Sequence, residues 1–230
     1  MSQKKILVTG ASRGIGLELI KQFSDAGHQV LALSRNTGCI EALKSKFKQL
    51  STIQTEITTG QGIEAVAGFV EKKWGHVDVV IHNAGALLHK PFKETSVEDF
   101  VKIYQVNVFA VAELTRKLDP FLANGSHVVA ISSMGGIQGS MKFAGLSAYS
   151  SSKGAVITLM ELLAEEYKDR GVSFNALALG AVQTEMLKEA FPDYEAPVTA
   201  GDMAGYIMEF GLKGNKLFNG KVLQVSNSTP

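Results

Sequence analysis

The sequence predicts a doubly wound α/β fold: a parallel sheet of about seven strands with helices on both faces. Three observations carry this. Runs rich in Ile, Leu and Val alternate with helical patterns along nearly the whole chain. Several of these runs are continuously apolar, as strands buried on both faces are. The 230 residues include 23 glycines against 5 prolines, which suits many tight turns between regular elements.

Taken in order, Lys4 to Thr9 reads as a buried strand stopped by Gly10. Gly14 to Ala26 follows as a helix, with Ile15, Leu19, Ile20 and Phe23 on one face and Gly27 ending it. Val30 to Leu33 is the second strand, and Ile40 to Phe47 a short helix. A brief strand lies around Ile53, a helix runs from Gln61 to Lys73, and Val77 to His82 is the fourth strand. Ser96 opens a long helix ending near Leu118, ahead of Pro120; Glu98 and Asp99 suit its positive N-terminal end. His127 to Ile131 is a strand, Ala148 to Arg170 a helix and Val172 to Ala178 a strand. A mainly helical tail leads to a last strand at Val222 to Val225. No repeat, low-complexity segment or linker interrupts the chain, so residues 1–230 are expected to form one domain.

Composition narrows the function. Net charge is +1, from 23 basic and 22 acidic residues, with no block of like charge. Neither a nucleic acid nor a membrane surface is therefore expected as a partner. No apolar run is long enough to span a bilayer, and the apolar stretch after Lys5 is too short for a signal peptide. The lone Cys39 cannot form an internal disulfide, which points to a reducing compartment, the cytoplasm. The five histidines show no metal-ligand spacing, and no metal is expected.

Two stretches carry chemistry. Tyr149 and Lys153 are four residues apart at the start of a helical run, so they share a face. An ammonium beside a phenol favours the phenolate, and such a pair can give a proton to a carbonyl oxygen or take one from an alcohol. Thr9-Gly10-Ala11-Ser12-Arg13-Gly14-Ile15-Gly16 joins the first strand to the first helix. Gly10 permits the sharp turn, Gly14 lets a pyrophosphate approach the backbone, and Gly16 lets the helix pack against the sheet. The phosphates would meet free N–H groups at the helix N-terminus.

Together these residues resemble the short-chain dehydrogenase/reductases of the single-domain type, with a Rossmann-type fold. Thr9 to Gly16 matches the family's TGxxxGxG loop, Asn83-Ala84-Gly85 its NAG motif, and Tyr149 to Lys153 its YxxxK. Asn107 lies in the long helix where the family carries a catalytic Asn, and Ser132-Ser133 follows the fifth strand. The resemblance runs from residue 4 to about 185. It implies an oxidoreductase that moves a hydride between NADP(H) and a small carbonyl or alcohol. Tyr149 would be the general acid or base. Lys153 would lower its pKa and bond the nicotinamide ribose. Ser133 would hold the substrate oxygen, with Ser132 as the rival donor. Asn107 would hold a water linking Lys153 to solvent. A helix interior disfavours Asn followed by β-branched Val108, so a local kink is expected there. Asn83, Ala84 and Gly85 would line the cofactor cleft, Glu56 and Ile57 would meet the adenine, and Val182 and Thr184 the nicotinamide carboxamide. The resemblance also implies a homodimer or homotetramer built on the helices at 96–118 and 148–170. The alternative class is a nucleotide sensor or scaffold that keeps the fold without turnover.

Departures from the family pattern are few. Leu179-Gly180 replaces its Pro-Gly, His82 replaces the Asn before NAG, and the chain ends without a glycine turn after Val225. His82 reads as structural, and His89 and Lys90 as solvated loop residues near the cleft. Met134, Ile137, Met141, Phe143 and Leu146 suit either a pocket for an apolar or aromatic carbonyl or internal packing. Cofactor choice rests on charge. The second strand ends Ser34-Arg35, where an NAD-preferring fold places a carboxylate for the ribose 2′-hydroxyl. Arg35, with Arg13 and Ser12 from the glycine loop, offers donors for a 2′-phosphate instead. NADP(H) is the expected cofactor.

Overall fold

The computed structural model describes residues 2–227; Ser228, Thr229 and Pro230, part of the stretch after Val225 that lacks a glycine turn, lie outside the described residues. The predicted alternation is the observed one. The elements are β1 (Lys5–Thr9), α1 (Gly14–Asp25), β2 (Gln29–Ser34), α2 (Gly38–Leu43), β3 (Leu50–Gln54), α3 (Gly60–Phe69) and β4 (Val77–His82). There follow α4 (Val97–Tyr104), α5 (Ala110–Leu118), β5 (Leu122–Ser133), α6 (Ser147–Glu166) and β6 (Ser173–Leu179). Then come β7 (Val182–Gln183), α7 (Glu185–Ala190), β8 (Val198–Thr199), α8 (Ala200–Lys213) and β9 (Lys221–Val225).

Seven strands form one parallel sheet in the order β3-β2-β1-β4-β5-β6-β9. Because side chains alternate across a pleated strand, each buried strand feeds two cores. Leu7, Leu31 and Val80 join the layer built with α3, α5 and α6. Their neighbours Ile6, Val30 and Val79 join the layer built with α1 and α8. Both faces are covered, which is why the strand sequences read as unbroken apolar runs.

The strand order reverses between β1 and β4, and a cleft opens beyond their carboxyl ends, as such sheets require. Gly10 continues β1 and Asn83 continues β4, so the two motifs meet there.

Several boundaries differ from the sequence reading: α2 ends at Leu43 rather than Phe47, and the helix expected to reach Lys73 gives way after Phe69 to a π-type turn at Val70–Trp74. The helix expected from Ser96 to Leu118 is interrupted by a wide π-type turn at Gln105–Phe109, the kink expected at Asn107. Its start is as expected: Ser96 Oγ accepts from Asp99 N, and the Asp99 carboxylate accepts from Ser96 N. Strand β5 begins at Leu122, where an irregular pairing with Val77 extends it past His127. Helix α6 stops at Glu166, before a 3₁₀ turn and the left-handed Gly171, rather than reaching Arg170. The short strands β7 and β8 within the tail had no signal in the sequence, because two-residue pairings leave no periodicity.

Candidate active site

A cleft of about 660 Å³ runs along the carboxyl ends of the strands. It is lined by every sequence-derived candidate except Gly16 and Asn107: Gly10, Ser12, Arg13, Gly14, Ile15, Ser34, Arg35, Glu56, Ile57, Asn83, Ala84, Gly85, Ser133, Tyr149, Lys153, Val182 and Thr184. Gly16 and Asn107 lie just behind its wall and shape it.

The glycine loop is held by short-range sterics. Gly10 has φ +68°, and a Cβ there would lie 2.7 Å from Ala84 Cα. A Cβ on Gly16 would come within 2.2 Å of the Gly10 carbonyl oxygen, so α1 packs against the turn only with glycine at that position. Thr9 Oγ1 accepts from Ala84 N at 2.9 Å, and Asn83 Nδ2 donates to the carbonyls of Thr9 and Gly10, at 3.1 Å each. The NAG segment therefore braces the loop as well as lining the cleft. Helix α1 starts at Arg13 with no side-chain cap and no acid in its first turn. Helices α3, α4, α7 and α8, by contrast, are capped by their own Thr59, Ser96, Thr184 and Thr199. The first N–H groups of α1 and its positive end are thus left for an anion. Loop, tight packing and uncapped helix together fit the pyrophosphate of a dinucleotide.

At the other end, Tyr149 and Lys153 rise from the first turns of α6 beside Ser133 at the end of β5. Lys153 Nζ lies 5.7 Å from the centroid of the Tyr149 ring and donates to the Ile131 carbonyl at 2.8 Å. Lys153 is buried, and burial lowers its pKa from the usual lysine value to about 8. Burial raises the Tyr149 phenol, and a hydrogen bond with the Ser133 side chain partly offsets this. The sequence reading had the lysine charge as the main influence on the phenol. In the structure desolvation is the largest influence on the phenol, because the pocket around the ring withholds water from a phenolate.

The two serines separate cleanly. Ser132 is buried and its Oγ donates to the backbone carbonyl of Lys153 at 2.8 Å, which ties β5 to α6. Ser133 faces the cleft, bonds the phenol and accepts from Gly135 N at 3.2 Å.

Asn107 is buried rather than an exposed helical residue, and its amide is engaged by its neighbours. Oδ1 accepts from Ala86 N at 2.8 Å, while Nδ2 donates to Ala86 O and to Ser152 Oγ, at 2.9 Å each. Both Nδ2 protons are used. The side chain clamps the loop after the NAG motif to α6, a connection the sequence could not display.

Other candidates fall as follows. Thr184 lines the cleft while its Oγ1 accepts from Leu187 N at 3.2 Å, capping α7. Arg35 pairs with Glu56 across 3.7 Å just beyond the ends of β2 and β3, with the guanidinium largely exposed. Arg13 is bound to Glu189 of α7, an acid the sequence reading did not single out. His82 is structural: buried, bonded to Thr115 Oγ1 at 3.0 Å, and lowered to about 4 by desolvation. His89 packs on Phe191 with ring centroids 5.0 Å apart, and Lys90 pairs with Asp99. Met134, Met141, Phe143 and Leu146 line the cleft, whereas Ile137 packs on the core. Met186, Leu187, Phe191 and Tyr194 add to the apolar lining, as the sequence alone did not show. Among the described residues no group of His, Cys, Asp or Glu could hold a metal ion, and no helix is long and apolar enough to cross a membrane.

A phosphate-ready loop facing a Ser–Tyr–Lys cluster across one cleft defines the class, a dinucleotide-fold oxidoreductase. The model of the short chain dehydrogenase family matches residues 4–195, and the chain belongs to that family. It is similar to 7alpha-hydroxysteroid dehydrogenase of Escherichia coli (strain K12), with 30% identity over 199 residues, covering 84% of this chain and 76% of that protein. Among solved structures, 4-hydroxyisoleucine dehydrogenase complexed with NADH has a TM-score of 0.87 at 22% identity, covering 98% of each chain. A short chain dehydrogenase from Burkholderia cenocepacia J2315 in complex with NADP has a TM-score of 0.88 at 22% identity, covering 99% of this chain and 97% of that one. These two likenesses concern the fold.

Proposed function

We propose that the protein is an NADP(H)-dependent carbonyl reductase or alcohol dehydrogenase acting on uncharged, largely apolar substrates. The observation that carries this is the meeting of the Ser133 hydroxyl, the Tyr149 phenol and the Lys153 ammonium in a cleft whose far wall is the uncapped glycine loop.

The nicotinamide supplies the hydride acceptor or donor when bound. Everything else falls to the chain. Ser133 donates to the substrate oxygen and holds it beside the phenol. Tyr149, its pKa raised by burial, keeps its proton at neutral pH and gives it to that oxygen during reduction. Lys153, with its pKa lowered to about 8, is mainly an ammonium at pH 7, and its charge favours the phenolate that remains. Asn107 acts through Ala86 and Ser152, holding the cleft wall and α6 in register. Gly10, Ser12, Gly14, Ile15 and Gly16 would hold the pyrophosphate, and Ser34, Arg35, Glu56 and Ile57 the adenosine end. Asn83, Ala84, Gly85, Val182 and Thr184 would hold the nicotinamide half.

Support for the substrate class comes from the lining. Among the described residues, the charged groups facing the cleft are Arg13, Arg35, Glu56, Lys153 and Glu185. All but Lys153 and Glu185 belong to the glycine loop and the neighbouring strand ends. Met141, Phe143 and Tyr194 line the cleft while remaining 41–59% exposed, and a substrate would bury them. Among the described residues that line the cleft, Lys153 is the cation beside the Tyr149 ring. Support for NADP(H) is the missing acid at the end of β2, with Arg35 and Arg13 in its place. Exposed Val97, Val101 and Phe109 of the α4–α5 unit and Leu162 of α6 support a homodimer or homotetramer through these helices. The single free thiol, exposed Cys39, is the support for a cytoplasmic location.

The test is NADPH oxidation with matched sets of neutral aromatic or alicyclic ketones and anionic keto acids. Turnover of the neutral set at the lower KM is expected. Turnover confined to the anionic set overturns the substrate class, and tight NADPH binding with no turnover of either set overturns the enzyme reading.

A further inference from the structure

We propose that Glu189 sets how strongly this protein prefers NADP(H), because its carboxylate holds the Arg13 guanidinium that a cofactor 2′-phosphate would use. The inference rests on the NADP(H) reading and deepens it.

The geometry is a two-pronged grip. Arg13 Nη1 donates to Glu189 Oε1 at 2.5 Å and Nη2 to Oε2 at 3.4 Å. Arg13 belongs to the glycine loop and lines the cleft; Glu189 belongs to α7, 176 positions further along the chain. Glu185, one turn earlier on the same face of α7, adds a second carboxylate. Its Oε2 would lie 3.4 Å from a Cβ on Gly14, so α7 brings negative charge right over the phosphate-binding turn. Both acids act on Arg13, whose proton is held more tightly as a result.

A guanidinium fork matches carboxylate and phosphate with the same pair of N–H groups. The two anions therefore compete for one donor set. A 2′-phosphate that takes Arg13 must displace Glu189, and then has an unpaired carboxylate beside it. A ribose with a plain 2′-hydroxyl makes neither demand. Glu189 thus weakens NADPH binding and leaves NADH binding nearly unchanged, which moderates the preference that Arg13 and Arg35 create. The alternative is purely structural, an ion pair that pins α7 over the loop. Removing such a pin changes both cofactors alike.

Both side chains are at least half exposed, so the effect is modest. The experiment titrates NADPH and NADH by fluorescence against wild type, Glu189→Gln, Arg13→Ala and the double variant. Glu189→Gln is expected to tighten NADPH by about three- to tenfold, and to move NADH by less than about twofold. In the Arg13→Ala background the gain should shrink to less than about twofold, since the contested donor is gone. An unchanged NADPH/NADH ratio in Glu189→Gln, or an equal change in both, overturns the proposal. The underlying reading fails separately. Wild type binding both cofactors alike defeats NADP(H) preference, yet a preference that appears on Glu189→Gln still upholds the role of Glu189. Wild type that prefers NADPH, with Glu189→Gln silent, defeats the Glu189 proposal alone.

Discussion

Replacing Asn107 by alanine should destabilise the protein and loosen its cofactor cleft together. The side chain is buried and makes three hydrogen bonds, two to the backbone of Ala86 and one to Ser152 Oγ. Alanine removes all three and strands the N–H and C=O of Ala86. Each lost bond costs about 0.5–1.5 kcal/mol, and each unsatisfied buried group about 1–3 kcal/mol, before water enters the space. With partial rescue by water, a net loss of about 3 kcal/mol follows, or roughly 6–12 °C in Tm for a chain of this size. The segment released is the one that follows Asn83-Ala84-Gly85, so NADPH affinity should fall in parallel. Differential scanning calorimetry and cofactor titration on the same preparation read both effects. A variant that keeps wild-type Tm and loses only turnover would refute this clamp and restore a purely chemical role for Asn107.

Three further expectations follow from buried or exposed groups. His82 and His127 are buried and lowered to about 4, so they stay neutral in the folded chain while an unfolded chain binds their protons near pH 6.5. Stability should therefore fall as pH drops from about 6.5 towards 4, by up to about 3 kcal/mol for each, and His82→Gln should flatten the fall in Tm measured between pH 7 and 4.5. Ser133→Ala should cut kcat by about tenfold or more with Tm little changed, whereas Ser132→Ala should lower Tm and leave most of kcat; the reverse pattern in the same paired assay would exchange their roles. Light scattering at micromolar concentration should give a particle of at least twice the 24.6 kDa chain mass, and a monomer would contradict the use of the exposed α4, α5 and α6 side chains as an interface.

What could be read beforehand was whatever is encoded locally. The Leu/Ile/Val runs of β1, β2 and β4 announce strands buried on both faces, and Thr9 to Gly16 announces its turn through glycine spacing. Tyr149 and Lys153 share a face because helix geometry fixes four-residue neighbours. Asn107 followed by Val108 hinted at the irregular turn, yet nothing local showed that its amide would grip Ala86. The Arg13–Glu189 pair was equally hidden, since it depends on where the tail places α7 after β6. The burial of Tyr149 is hidden from the sequence for a similar reason. A sequence displays the neighbouring ammonium but not the depth of the pocket that raises the phenol. His82 was legible as structural, because a histidine ending an apolar strand has little room to be anything else.

The central claim is that Tyr149 supplies the proton in a reaction whose cofactor is bound elsewhere in the cleft. The most direct measurement is Tyr149→Phe, with NADPH affinity from titration and kcat from NADPH oxidation on the best neutral ketone. The ring is kept and only the hydroxyl is lost, so affinity should stay within about twofold while kcat falls by about 10²–10⁴-fold, the usual contribution of a positioned general acid. Near-normal kcat in Tyr149→Phe would contradict the account.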